Sequence, residues 1–102
     1  MNELYIKNLR IFSGKILKEY LSKKIGYEEF INRLPREDID ESISMAIHAA
    51  QHFYCDADIR AKDKEYEDLL INDLLAMSDI LEKGEDFKSN KFGFYKPHPN
   101  SG

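Results

Sequence analysis

The chain has 102 residues, of which 42% are apolar and 33% are charged, and its formal net charge is −4. This length suits one domain with a modest core, and the composition excludes a collagen, a disulfide scaffold and a wholly disordered chain. No apolar run approaches the length needed to cross a bilayer, and the single cysteine, Cys55, favours a reducing compartment, so we expect a cytoplasmic protein.

Two helices are predicted in the first third of the chain. Apolar residues recur at helical spacing over 3–24 and again over 27–34, where Pro35 ends the second, shorter helix. Gly14 is expected to weaken or interrupt the first helix, and Gly26 is expected to end it. The face of the first helix that we expect to be buried carries Tyr5, Leu9, Phe12, Ile16 and Tyr20.

Two longer helices are predicted after Pro35, over 38–55 and 64–83. Asp63 is a suitable N-cap for the later helix and Gly84 a suitable end. Residues 56–63 are expected to link the two helices, with a local ion pair between Asp58 and Arg60. The face of the later helix that we expect to be buried carries Tyr66, Leu69, Leu70, Leu74, Met77, Ile80 and Leu81.

The fold class that follows is all-α. No segment alternates in the manner of a strand, so residues 1–86 are predicted to form a bundle of three long helices and one short helix. Residues 87–102 form an aromatic-rich tail that we expect to pack on the bundle or on a partner, because large rings are rarely left in water. The aromatic residues of this tail are Phe87, Phe92, Phe94 and Tyr95.

The charge is distributed unevenly along the chain. Residues 1–36 have a net charge of +4, and residues 37–86 have a net charge of −11. Such a dense acidic stretch repels nucleic acid and anionic lipid and attracts a basic protein, although a simply solvated acidic surface has the same composition. The residues predicted to bind a partner are Asp56, Asp58, Glu65, Glu67 and Asp68, with Tyr54 and Tyr66 as aromatic anchors.

A metal or thiol site is the main alternative. His48, His52 and Cys55 share one helical face, and Glu41 lies two turns earlier, so imidazole, thiolate and carboxylate groups stand at a spacing that can bind Zn²⁺. This face is opposite the apolar arc of its helix, and the standard zinc-binding patterns are absent from the sequence. We therefore predict no resident cofactor, with these residues as the metal-binding alternative.

Asp73 is an unusual polar residue in the apolar arc of the later long helix. A carboxylate in that position must find a polar partner or have its pKa raised. We expect a structural role in which an arginine, a tyrosine hydroxyl or a helix N-terminus satisfies it.

Two passages, Gly26 to Pro35 and His52 to Asp63, resemble segments of short, uncharacterised bacterial proteins and bring no catalytic residues with them. In size, acidity and helical content the chain is also similar to the nuclease-colicin immunity proteins, which are small four-helix inhibitors. That likeness is architectural, and no toxin-binding residue is transferred from it.

The sequence therefore predicts a non-enzymatic immunity or antitoxin type of inhibitor that occludes a basic, nuclease-like toxin, because an enzyme that binds phosphate must present cations. The alternatives are a small metal- or thiol-dependent enzyme using His48, His52 and Cys55, and a helical self-associating adaptor built around Ile71, Leu75 and the tail aromatics.

Overall fold

The computed structural model describes residues 2–35 and 39–90, and these residues form five helices and no strand. The helices are α1 (Glu3–Leu21), α2 (Tyr27–Arg33), α3 (Glu41–Cys55), α4 (Ala57–Lys62) and α5 (Lys64–Glu82). The prediction of an all-helical fold is therefore confirmed. Among the helices in these ranges, none combines the length and the apolar composition that a bilayer crossing requires.

Helices α1 and α5 end in the same hydrogen-bonding pattern, the Schellman motif, in which two successive N–H groups bond back to the last turn. Gly84 supplies the left-handed residue of this motif in α5, with a φ of +76°, as the sequence predicts. In α1 the equivalent residue is Lys23, with a φ of +66°. The prediction that Gly26 ends α1 is therefore wrong, and Gly26 is instead the N-cap residue of α2.

Helices α1 and α5 form the principal helix pair, and their backbones approach closely at Gly14. A Cβ atom at Gly14 would lie 2.8 Å from both the amide nitrogen of Glu82 and the carbonyl oxygen of Ser78. Ser13 and Ser78 are buried, and the hydroxyl of Ser78 donates to the carbonyl of Leu74 at 3.0 Å. Small residues thus allow the two helices to meet, and α1 continues through Gly14 without interruption.

The close contact at Gly14 determines which faces of α1 and α5 are buried. The buried face of α1 includes Gly14 and Leu17, whereas Tyr5 and Phe12, which were predicted to be buried, are 48% and 43% exposed. In α5 the predicted core residue Leu69 is 58% exposed. Both predictions assigned the buried face from the positions of large apolar side chains. The contact between α1 and α5 instead consists of small residues, which contribute little apolar surface to the periodic pattern. The predicted faces are nevertheless confirmed in part, because Ile16 of α1 and Leu74, Met77 and Leu81 of α5 are buried in the core as predicted.

One cluster of buried side chains joins α1, α2, α3, α5 and the turn that follows α5. Its members are Ile16, Leu17, Phe30, Ile43, Ala46, Ile47, Ala49, Ala50, Phe53, Leu74, Met77, Leu81 and Phe87. Helix α4 contributes no buried residue, so its position depends on polar contacts and on its neighbours in the chain.

Arg10 joins α1 to the start of α3 and to the turn after α5. Its guanidinium donates to both carboxylate oxygens of Asp40, at 2.7 and 3.1 Å, and to the carbonyl of Gly84 at 3.2 Å. Asp40 is also the N-cap of α3, because its carboxylate accepts a hydrogen bond from the amide of Ile43 at 3.2 Å. This cap explains why α3 begins at residue 41 rather than at the predicted residue 38.

The described part of the predicted tail turns back onto the start of α3. Phe87 is 2% exposed, and its backbone N–H donates a hydrogen bond to the hydroxyl of Ser42 at 3.0 Å. The other aromatic residues of that tail lie outside the described residues; they are Phe92, Phe94 and Tyr95.

Candidate functional site

The five carboxylates predicted to bind a partner lie on or beside the two consecutive helices α4 and α5. We call this set the acidic surface; its members are Asp56, Asp58, Glu65, Glu67 and Asp68. The predicted link over 56–63 is itself largely helical, because residues 57–62 form α4. Asp63 separates α4 from α5 and accepts a hydrogen bond from the amide of Tyr66 at 3.1 Å, which confirms its predicted role as an N-cap.

Arg60 fixes α4 against both of its neighbours. Its Nε donates to the carbonyl of Phe53 at 2.7 Å, its guanidinium carbon lies 3.7 Å from the centre of the Phe53 ring, and Nη1 donates to Glu67 at 3.1 Å. The local pair predicted between Asp58 and Arg60 is thus replaced by a pair with Glu67 in the next helix. Hydrogen bonds from Lys64 and Arg60 lower the pKa of Glu67 below its ordinary value. We infer that α4 is held by this arginine rather than by apolar burial.

Two other members of the acidic surface are paired within the chain. The hydroxyl of Tyr66 donates to the carboxylate of Asp56 at 2.7 Å, and this hydrogen bond raises the pKa of Tyr66. The ammonium of Lys64 lies 3.3 Å from Asp68. The hydroxyl of Tyr66 is thus bonded within the acidic surface, and the role of its ring as an aromatic anchor stays a prediction.

Asp58 and Glu65 are the free carboxylates of the acidic surface. Both side chains are exposed, and neither has a hydrogen bond or ion pair to another residue in the described ranges. Glu65 lies in the first turn of α5 and Asp58 in the first turn of α4, where the helix dipole favours a negative charge. Within the acidic surface, Asp58 and Glu65 are therefore the two carboxylates that no internal cation neutralises.

Tyr54 lies at the surface, on the edge of a cluster of aromatic rings. Its ring is stacked on that of Tyr27, with 4.0 Å between the ring centres and an angle of 6° between the planes, and Tyr54 is 50% exposed. Tyr20 packs behind this pair against Tyr27, Phe30 and Phe53, at centre-to-centre distances of 5.8, 4.9 and 6.2 Å. The apolar spacing of the sequence predicts the helices but gives no signal for the stacking of Tyr27 on Tyr54.

The residues of the metal-binding alternative lie along one exposed side of α3. His48, His52, Cys55 and Glu41 are all exposed, and Cys55 is a free thiol. Among residues 2–35 and 39–90, no group of three or more histidine, cysteine, aspartate or glutamate side chains could hold a metal ion.

Asp73 is partly buried in α5, and burial raises the pKa of its carboxyl group. None of the described residues gives it a hydrogen bond or an ion pair, so the expected partner is not found. Burial without a polar partner disfavours the charged form of this carboxylate, which is the physical cause of the raised pKa.

No protein-family model matches the chain, and neither a curated protein nor a solved structure matches it. The functional argument therefore depends on the surface of the molecule itself.

Proposed function

We propose that this protein is a small acidic binding protein of the immunity or antitoxin type, which acts in the cytoplasm by occluding a basic, nuclease-like toxin. The acidic surface on α4 and α5 is the docking site. The complex forms by charge pairing between this surface and the cations with which a nuclease holds phosphate. The resemblance of the sequence to nuclease-colicin immunity proteins in size, acidity and helical content favours this choice of partner.

The observation that carries the proposal is the pair of exposed carboxylates without internal partners, Asp58 and Glu65, on a surface whose backbone is fixed by Arg60. Carboxylates that are already paired gain little from a second cation, whereas free ones on a fixed surface bind a cation without losing an existing contact. Tyr54 is the aromatic anchor of this site, because stacking on Tyr27 already restricts its ring.

The proposal is tested by capturing a partner from the native host on the full chain and purifying it, beginning with the product of any toxin-like neighbouring gene. The double variant Asp58→Lys/Glu65→Lys is expected to bind the purified partner at least about tenfold more weakly, and wild-type binding is expected to weaken steeply with salt. The matched control is Glu28→Lys/Glu85→Lys, which makes the same change in net charge at exposed positions outside the acidic surface. Equal loss in both variants, or a partner that is acidic, would contradict the proposal.

Binding kinetics separate the charges from the aromatic anchor. Reversal of Asp58 and Glu65 is expected to slow association, whereas Tyr54→Ala is expected to speed dissociation. Tyr5→Ala is the matched control, because Tyr5 is 48% exposed and lies on α1, away from α4. A nuclease assay on the purified partner measures occlusion directly, and a partner that remains fully active in the saturated complex contradicts the inhibitor role.

A further inference from the structure

A pocket opens to solvent where the ends of α1 and α3 meet α4 and the start of α5. Its volume is about 330 Å³, which is within the range of small-molecule sites in proteins. The apolar part of its lining comes from Leu21, Phe53 and Ile71. The ring of Tyr20 also lines the pocket and packs edge-on against that of Phe53, with 6.2 Å between the ring centres. The pocket therefore offers rings and aliphatic side chains to a flat apolar ligand.

The charged part of the lining has a surplus of cations. Lys23, Arg60 and Lys64 line the pocket, together with one carboxylate, Glu67. Arg60 and Lys64 both bond to Glu67, and Lys64 also contacts Asp68, so these two cations and two carboxylates balance. Lys23 is exposed and makes no ion pair in the described part of the chain, so its ammonium is the positive charge that remains. The lining therefore favours a negatively charged ligand over a positively charged one.

Two further hydrogen-bond donors belong to the same lining. The guanidinium of Arg60 uses Nε and Nη1 in its hydrogen bonds, and its Nη2 has no acceptor among the described residues. The hydroxyl of Tyr20 likewise makes no hydrogen bond to any residue that the structure describes. Burial raises the pKa of Tyr20, and the positive charge of Arg60 opposes that rise only in part, so the hydroxyl stays a neutral donor near a cation. Donors beside an unpaired ammonium suit a carboxylate, which has several acceptor sites.

The backbone at Lys23 is a second, independent observation that connects this residue with a ligand. Lys23 is the left-handed residue that follows α1, with a φ of +66°. Glycine adopts this conformation without strain, whereas a side chain makes it costly. Backbone strain of this kind clusters at active sites and ligand-binding positions. A lysine at the edge of the pocket thus stands where glycine would give the more stable helix end.

We propose that this pocket binds a small aromatic carboxylate. The ring of the ligand packs on the apolar lining, and its carboxylate pairs with Lys23 and accepts hydrogen bonds from Tyr20 and Arg60. A single negative charge is expected, because one cation of the described lining lacks an internal partner. The proposal does not depend on the toxin-binding proposal, since Glu67 alone among the described lining residues belongs to the acidic surface.

Three probes of closely similar shape test the charge preference: benzoate, neutral benzamide and cationic benzamidine. The full, isotopically labelled chain is titrated with each probe, and binding is followed by the backbone amide signals in NMR spectra. Benzoate is expected to bind with a Kd on the order of 1 mM, as suits so small a ligand, and to shift the signals of Leu21, Lys23, Arg60 and Ile71. Benzamide is expected to bind at least about tenfold more weakly, and benzamidine is expected not to bind.

Paired variants locate the site. Lys23→Gln is expected to raise the Kd of benzoate at least about fivefold, whereas Lys24→Gln, the same change of charge at an exposed neighbour outside this pocket, is expected to leave it unchanged. Tyr20→Phe keeps the ring and removes the hydroxyl, and is expected to raise the Kd about threefold, with Tyr27→Phe as its control outside the pocket. Circular dichroism verifies that every variant is folded.

Three outcomes would overturn the proposal. The first is equal binding of benzoate and benzamide, which would show that the charge of the ligand does not matter. The second is an equal loss of benzoate binding in Lys23→Gln and Lys24→Gln, which would indicate general attraction of an anion to lysines. The third is the absence of localised signal shifts at a benzoate concentration about tenfold above the expected Kd, where a site of this affinity would be nearly saturated.

Discussion

Replacing Gly14 with alanine should destabilise the protein, although alanine is the better helix former. In an exposed helix this substitution gains about 1 kcal/mol. At Gly14 the new methyl group would lie 2.8 Å from two backbone atoms of α5 and 3.0 Å from the Cγ of Glu82, so the helices must move apart. Overpacking of this kind costs about 1–3 kcal/mol, and backbone contacts place this site at the upper end. The expected net loss is about 1–2 kcal/mol.

Urea denaturation followed by circular dichroism measures this loss as a lower midpoint at an unchanged slope. Gly26→Ala is the matched control, because no atom lies within 4 Å of a Cβ at that position and its φ of −83° suits any residue. Gly26 is the N-cap of α2, where alanine is less favourable than glycine, so the control is expected to lose less than about 1 kcal/mol. If Gly14→Ala instead gained about 1 kcal/mol, helix propensity alone would account for it and the argument from close helix approach would be refuted.

Three further predictions concern stability. Lys23→Gly should raise the free energy of unfolding by up to about 1 kcal/mol, because Lys23 has a φ of +66°, and an unchanged urea midpoint would contradict this. Arg10→Met should lower the free energy of unfolding by about 3 kcal/mol, because the carboxylate of Asp40, which is only 9% exposed, loses its cation. A loss below about 1 kcal/mol in thermal unfolding would show that this ion pair contributes little. Burial raises the pKa of the Asp73 carboxyl group in the folded protein. The protonated carboxyl group therefore contributes to stability below the ordinary carboxyl pKa, and this contribution is lost as the pH rises through the raised pKa. Asp73→Asn should therefore be more stable than wild type at pH 7 but equal to it at pH 3, and a constant difference across pH would contradict the prediction.

The helical fold was predictable because its signals are local. Apolar spacing located the helices that became α1, α2, α3 and α5, Asp63 marked the start of α5, and Gly84 marked its end. Helix α4 was missed because it buries nothing and therefore lacks an apolar stripe. Its stability depends on Arg60, whose partner Glu67 lies seven residues away, beyond a helix boundary.

The choice of buried faces was harder to predict, because it depends on which helices meet. Periodicity ranks Phe12 and Leu69 as core residues on hydrophobicity alone, yet both are exposed, because the close contact at Gly14 and Ser78 sets the edges of the buried faces. The acidic surface was only partly predictable for the same reason. Composition identifies its carboxylates, but only the fold distinguishes the paired Glu67 from the free Asp58.

The pairing of α1 with α5 has a consequence for synthesis on the ribosome. Helix α1 leaves the exit tunnel before its main partner α5, so the apolar face around Leu17 stays uncovered until α5 has been synthesised. Until then a nascent polypeptide carries an unsatisfied apolar stripe, which is a natural target for chaperones. Premature termination before Lys64 would accordingly yield a fragment prone to aggregate or be degraded rather than a smaller folded unit.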